Sequence, residues 1–201
     1  KDVTLSGYLG TADLVTGRYE LNLVCYADGT DTVPTAINGF TTEAPYYIHI
    51  YTPVSATQVG VSQRHEGVWG TAGYTIAGNP GTNTAVIDVR DEYVHVDGLQ
   101  VYVSGSDSAG EAGLMVNCGN VSALSNVRFS HNLVKMTTSD TNIYGITARS
   151  PGGAGNNAIV RISNNIVYGF NGAGSTGIYV GLNCSPIAYV YHNTVFDCDD
   201  G

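Results

Sequence analysis

The chain has 201 residues, and its eight lysines and arginines against 17 aspartates and glutamates give a formal net charge of −9. A surface that binds DNA or RNA needs clustered cations to displace phosphate counterions, so this composition excludes nucleic acid as a partner. Apolar runs such as residues 46–51 are far shorter than the roughly 20 residues that cross a bilayer, which argues against insertion into a membrane.

Residues 1–45 do not follow the repeat found later in the chain and are predicted to form a β-rich N-terminal cap. Residues 18–26 alternate polar and apolar side chains as a half-buried strand does, and residues 27–31 supply a turn. A cap is expected because an exposed terminal coil offers unpaired backbone groups to other chains. Residues 46–201 are predicted to form the repeats themselves.

The first repeats are interrupted by a long excursion. Residues 47–51 read as a strand that stops at Pro53, since proline cannot donate a ladder hydrogen bond. Residues 63–74 carry the single tryptophan and are predicted to fold over the early coils as a loop. Residues 85–89 and 93–101 then form a shorter copy of the strand pair seen further on.

A repeat of about 32 residues governs the rest of the chain. Glycines that open apolar strands recur at 32 and 32 residues, asparagines that end partner strands at 33 and 28, and valines beside them at 33, 33 and 28. The three columns are Gly113, Gly145 and Gly177; Asn132, Asn165 and Asn193; and Val101, Val134, Val167 and Val195. Such a period marks a solenoid, in which each unit buries its apolar face only by stacking on its neighbours.

The asparagine column and the G-[LI]-x-[VA] strands resemble the repeat of the pectate-lyase-like superfamily. The resemblance covers residues 84–201, and less closely 46–83. Residues 65–70 and 92–101 are similar to segments of bacterial and phage β-helix proteins of unassigned activity. The resemblance implies an all-β fold, a right-handed parallel β-helix, without implying a chemistry.

Residues that alternate with the inward columns should form outward columns. One such stripe is a candidate ligand-binding face with guanidinium donors and aromatic platforms; it comprises His95, Arg128, Arg161 and Tyr189, with Arg149 and Tyr179 on the neighbouring strand. The competing interpretation is an ordinary solvated strand face. Arginines stacked one coil apart repel each other unless they are solvated or share an anion or an acid.

The three asparagines are interpreted as a structural ladder, in which each amide bonds the next coil and the backbone at the bend. His131 and His192 precede two of them, where the other copies have Gly98 and Asn164. A turn in the left-handed region explains all four residue types better than catalysis does.

No catalytic motif is recognisable. Asp199 and Asp200 form an acidic pair, but the Asn-Thr-Asp and Gly-His-Gly motifs of polygalacturonase-like enzymes are missing from the sequence. The arginine motif of pectate-lyase-like enzymes is missing too, so lyase chemistry would need Arg128 or Arg161 as the base.

No cofactor is expected, apart from weak candidate oxygen ligands for Ca²⁺ at Asp197, Asp199 and Asp200. The four cysteines lack the spacing of a zinc site. Cys118 and Cys184 lie two repeats apart, which predicts a separation of roughly 10 Å, too far for a disulfide. Cys184 with Cys198 is the more feasible pair, and four buried thiols are the alternative.

These observations favour an extracellular, cell-surface or virion-surface structural and recognition module that contacts carbohydrate. The alternative is a polysaccharide lyase or glycoside hydrolase whose acid and base do not stand out from the solvated acids. The shortage of cations argues weakly against an acidic polysaccharide as the ligand. With no polar cap at the C-terminal end, the last coil is also expected to stack on another copy or on a partner chain.

Overall fold

The structure is a computed structural model that describes residues 11–70, 72–105 and 110–200. It contains three all-parallel sheets. The first sheet comprises β1 (Leu21–Val24), β4 (Ile48–Tyr51), β7 (Val94–Asp97), β10 (Val127–Ser130), β13 (Ile159–Ser163) and β16 (Ile187–Tyr191). The second comprises β2 (Thr30–Asp31), β5 (Thr75–Gly78), β8 (Gln100–Val103), β11 (Leu133–Met136), β14 (Ile166–Tyr168) and β17 (Thr194–Phe196). The third comprises β3 (Thr35–Ile37), β6 (Ala85–Val89), β9 (Ala112–Asn117), β12 (Tyr144–Arg149) and β15 (Thr176–Val180).

Because every third strand pairs with its predecessor, the chain winds repeatedly through the three sheets. This confirms the predicted parallel β-helix. Val101, Val134, Val167 and Val195 are aligned in register on the second sheet, and the first three are buried completely. The alternation is visible in β7, where Val94 and Val96 are buried while His95 and Asp97 are half-buried. The core therefore lies inside the coils, and the alternate side chains face outward.

The coils begin earlier than residue 46, the predicted boundary of the cap. β1, β2 and β3 pair in parallel with β4, β5 and β6, so residues 21–37 already form a coil. The alternation in residues 18–26 is that of a coil strand, and a single copy distant from the main repeat concealed it. A short helix, α1 (Leu14–Gly17), precedes this coil, and its buried Leu14 belongs to the core. Residues 1–10 of the predicted cap lie outside the described residues.

A second short helix, α2 (Ala56–Val59), lies in the excursion between β4 and β5. Neither of these four-residue helices, nor any other in the described part of the chain, has the length and apolar character needed to cross a membrane. At the other end of the coils, Val190 on the inward face of β16 is 47% exposed. Stacking of a further copy or partner on this coil stays a prediction.

The asparagines form a hydrogen-bonded ladder along the turn between the first and second sheets. The side chain of Asn132 donates to Asn165 Oδ1 at 3.1 Å, and that of Asn165 donates to Asn193 Oδ1 at 2.9 Å. Each amide also donates to a carbonyl oxygen of an earlier coil, at Val96, Phe129 and Ile162. The preceding residues have positive φ, as the turn chemistry predicts; they are Gly98, His131, Asn164 and His192.

All four cysteines are free thiols, so the proposed Cys184–Cys198 bridge is not formed. Cys118 instead lies within hydrogen-bonding reach of Cys184, and burial raises its pKa further. The predicted separation of the two was wrong because it assumed equivalent positions in their coils. Cys118 directly follows β9, whereas Cys184 lies four residues beyond the end of β15.

Candidate functional site

Four of the six candidate ligand-binding residues occupy one outward column of the first sheet. His95, Arg128, Arg161 and Tyr189 are aligned in register on consecutive strands, and His49 precedes them. We call this surface the first-sheet face and include the aromatic residues beside the column, Tyr47, Tyr51 and Tyr191. Parallel pairing at about 4.8 Å per coil makes it a flat strip of imidazole, guanidinium and phenol groups.

Aromatic rings crowd the N-terminal half of the first-sheet face. The ring centroids of Tyr47 and His95 are 4.5 Å apart, and those of His49 and Tyr51 are 4.4 Å apart in a stacked arrangement. In the C-terminal half, the guanidinium of Arg161 lies 4.8 Å from the ring centre of Tyr189. These contacts hold planar groups against one another and leave their outer surfaces available to a ligand.

The two arginines of the column share a neutral partner rather than an acid. Arg161 donates from Nη1 to Asn126 Oδ1 at 2.6 Å, and Arg128 donates from Nε to the same oxygen at 3.3 Å. Among the described residues, neither guanidinium has a carboxylate within ion-pairing distance. Two positive charges one coil apart therefore remain unneutralised by the protein.

The acid of this face, Asp97, is already committed to protein contacts. It accepts hydrogen bonds from Ser130 Oγ at 2.6 Å and from His131 Nδ1 at 2.8 Å, and it pairs with Arg64. Burial acts to raise the pKa of Asp97, but these hydrogen bonds and the Arg64 charge outweigh it and lower the pKa. Asp97 thus fixes the turn at His131 and the excursion loop rather than serving as a proton donor.

His95 is held neutral. Burial, the charge of Arg128 and the neighbouring His49 together lower the pKa of His95 from 6.5 to about 4. Burial also lowers the pKa of His49, against the opposing charges of Asp97 and Glu20. At neutral pH both imidazoles can accept a hydrogen bond or a proton.

The lowered pKa of His95 predicts a loss of stability in mild acid. The unfolded chain takes up this proton near pH 6.5, whereas the folded protein resists it until about pH 4, so stability is undiminished above pH 6.5 and falls as the pH drops toward 4. Urea unfolding of the His95→Gln variant should show a shallower decline over this range than the parent protein. His192→Gln, at an exposed position on the last coil, should keep the parent slope; equal slopes for all three proteins would contradict the expectation.

Arg149 and Tyr179 do not belong to the first-sheet face. Arg149 lies at the end of β12 in the third sheet and is only 1% exposed, so it was wrongly predicted as a surface donor. Its guanidinium donates to the Gly110 carbonyl oxygen and lies 5.0 Å from the ring centre of Tyr144, which stacks on Tyr179. Burial lowers the pKa of Arg149. This arrangement ties the arginine to neighbouring coils.

The C-terminal aspartates do not converge on a metal site. Asp199 Oδ2 accepts a hydrogen bond from the Gly174 N–H at 2.7 Å, and Asp197 has positive φ in a turn. Within residues 11–70, 72–105 and 110–200, no three histidine, cysteine, aspartate or glutamate side chains are grouped as metal ligands would be. The candidate calcium ligands thus point to separate turns.

Sequence reasoning missed an aromatic column on the second sheet. Tyr102, Lys135, Tyr168 and Phe196 are aligned on the outward side of consecutive strands. Each directly follows a valine of the inward column, so the signal was present one residue beyond a pattern already recognised. Trp69, from the excursion loop, lies 6.0 Å from Tyr102 between ring centroids.

Comparison with models of known protein families, with curated proteins and with solved structures found no match to this chain. The parallel β-helix is therefore established by the pairing of its own strands. Conclusions about function depend on the chemistry of the outward faces.

Proposed function

We propose that this protein is a surface-exposed or extracellular recognition module that binds carbohydrate along the first-sheet face. The observation that carries the proposal is the pair of stacked arginines, Arg128 and Arg161, which share only the neutral Asn126 and have no acid partner among the described residues. A guanidinium presents a rigid fork of donors that suits paired sugar hydroxyl or carboxylate oxygens. The shared asparagine keeps both forks at fixed positions.

The aromatic groups of the same face supply the apolar part of such a site. Sugar rings have C–H faces that pack on aromatic surfaces, and Tyr189 beside Arg161 offers one at 49% exposure. Tyr47, His49 and Tyr51 offer further rings toward the N-terminal coils. A glycan lying along the helix axis would meet a new side chain of this column at every coil, about 4.8 Å apart.

The test is retardation of the protein in gels that contain neutral, uronate-containing or sulfated polysaccharides. We expect retardation in at least one gel, and the Arg128→Ala/Arg161→Ala variant should raise the dissociation constant about tenfold or more, because each guanidinium contributes a charge-assisted or bidentate contact. Arg18→Asn removes one positive charge at an exposed residue before the first coil and should leave retardation unchanged. Retardation that is indifferent to the double substitution would refute binding at this face.

A second candidate function, cleavage of a polysaccharide, is favoured by the neutral imidazole of His95. Its lowered pKa makes it a base at neutral pH, and the ring of Tyr47 lies beside it. The arginines of the same column would neutralise an acidic sugar while the base removes a proton. The resemblance of the repeat to the pectate-lyase-like superfamily supports this reading, and membership in that superfamily is part of the proposal.

Product analysis separates the two candidates. Incubation with the polysaccharides retained in the gels, with and without Ca²⁺, should yield no new reducing ends and no unsaturated sugar if the protein only binds. Turnover that disappears in His95→Gln while binding persists would establish the enzyme instead.

A further inference from the structure

A groove runs along the second sheet, on a different side of the coil from the first-sheet face. It encloses about 490 Å³ between the turn at residues 27–30 and the excursion loop. Its walls include two aromatic rings, two hydroxyl groups and one carboxylate, contributed by Trp69, Tyr102, Thr30, Thr75 and Asp28. This mixture of apolar rings with a few polar groups is typical of small-molecule sites in proteins.

The aromatic walls are set at an angle to each other. The planes of Trp69 and Tyr102 are inclined at 66°, with the ring centroids 6.0 Å apart. Tyr102 is also anchored at its far end, where its hydroxyl group bonds Thr137 Oγ1 at 2.7 Å. Two inclined and fixed rings form a corner that a sugar ring can enter with one apolar face against each wall.

The loop that carries Trp69 is fastened to the sheet by one buried side chain. Gln100 is completely buried, accepts a hydrogen bond from the Gly70 N–H at 2.9 Å, and donates to the Gly70 and Gly73 carbonyl oxygens at 2.7 and 2.8 Å. On the opposite wall, the Ala27 N–H donates to Gln63 Oε1 at 2.8 Å and ties the turn to the same loop. The groove is thus preorganised, which reduces the ordering cost of binding.

The charges around the groove balance. Lys135 lies with Nζ 4.0 Å from the centre of Trp69 and 5.1 Å from that of Tyr102, while Asp28 lines the other side. One cation and one carboxylate give no net attraction for an acidic or a basic ligand. They supply instead a donor and an acceptor for hydroxyl groups. The first-sheet face, in contrast, carries two unpaired arginines.

We propose that the second-sheet groove is a separate binding site for a neutral saccharide. The sugar ring packs against Trp69 and Tyr102, Asp28 accepts hydrogen bonds from its hydroxyl groups, and Lys135 donates one. The column continues with Tyr168 and Phe196, whose rings are stacked 4.9 Å apart, so further sugar units of a chain have aromatic surface along the axis. The site does not depend on the first-sheet face being a binding surface.

The competing role for these residues is structural. Lys135 over Trp69 is a cation–π contact that could serve only to hold the excursion loop on the sheet. In that case the rings are occupied by the protein's own lysine and bind no sugar. The two roles differ in whether Trp69 responds to added saccharide.

The fluorescence of Trp69 reports on this groove selectively, because it is the only tryptophan of the chain. We expect a saturable change in tryptophan emission on titration with at least one member of a panel of β-1,4-linked hexasaccharides of glucose, mannose, xylose and N-acetylglucosamine. Tyr102→Ala should raise the dissociation constant about tenfold, which is the usual effect of losing one stacked ring. Calorimetry with Trp69→Ala should show a similar loss.

The controls separate this site from the first-sheet face. Arg128→Ala/Arg161→Ala should leave the fluorescence titration unchanged, since it alters another sheet. Far-ultraviolet circular dichroism checks that Tyr102→Ala is folded, and Tyr102→Phe, which keeps the ring but loses the Thr137 hydrogen bond, should retain binding. The absence of any saturable change and of calorimetric heat across the panel would overturn the proposal, and it would leave arginine-dependent retardation in polysaccharide gels unaffected.

Discussion

Replacing Asn165 by alanine is expected to lower the free energy of unfolding by roughly 2–6 kcal/mol, since leaving a buried polar group without its partner costs about 1–3 kcal/mol. Asn165 is 1% exposed and sits in the middle of the ladder. Its Oδ1 accepts from the Asn132 N–H at 2.9 Å, and its Nδ2 donates to the Phe129 carbonyl oxygen at 2.9 Å. Alanine would leave both backbone groups without this partner inside the turn, where water cannot easily replace it.

The neighbouring asparagine provides a matched control for this substitution. Asn164 is exposed and has φ of 57°, a conformation that glycine adopts without strain. Asn164→Gly should therefore change the free energy of unfolding by less than about 0.5 kcal/mol. Urea denaturation followed by circular dichroism measures both variants. Similar losses for the two, or a loss below about 1 kcal/mol for Asn165→Ala, would show that the ladder contributes little.

The repeat could be predicted from the sequence because a parallel β-helix places equivalent residues one above another. The valine column and the asparagine ladder follow directly from the period of about 32 residues, and the structure aligns both. The alignment of His95 with Arg128 and Arg161 follows for the same reason. Periodicity thus fixes the register of the regular coils.

The rest could not be read from the period, because it depends on contacts between irregular segments. The coil at residues 21–37 is separated from the next by residues that do not match the repeat, so its strands were assigned to a cap. Arg149 alternates outward like an exposed residue, yet contacts with Gly110 and Tyr144 of other coils leave it buried. The groove needs Gln100 to place Trp69 beside Tyr102, and no sequence spacing encodes that contact.

Gly145 is expected to tolerate no side chain, and valine at this position should cost about 3 kcal/mol or more, at or above the upper end of the usual penalty for an overpacked core. A Cβ atom there would lie 2.5 Å from the Gly177 carbonyl oxygen and 2.3 Å from Val167 Cγ1. The carbonyl belongs to β15, whose pairing with β12 prevents it from moving away. The glycine column thus lets adjacent coils of the third sheet approach the valine column of the second.

Gly145→Ala keeps this prediction measurable if the valine variant does not fold, because its smaller side chain meets the same two atoms. Gly152→Ala is the control, since a Cβ atom there would meet nothing within 4 Å. Restricting the unfolded chain at such an open site should leave stability unchanged or raise it by up to about 1 kcal/mol. Thermal and urea unfolding of the two alanine variants should therefore shift in opposite directions or differ by at least about 1–3 kcal/mol. Equal stabilities would mean that neighbouring coils can separate to accept a methyl group, and that the 32-residue glycine period reflects turn chemistry rather than close packing.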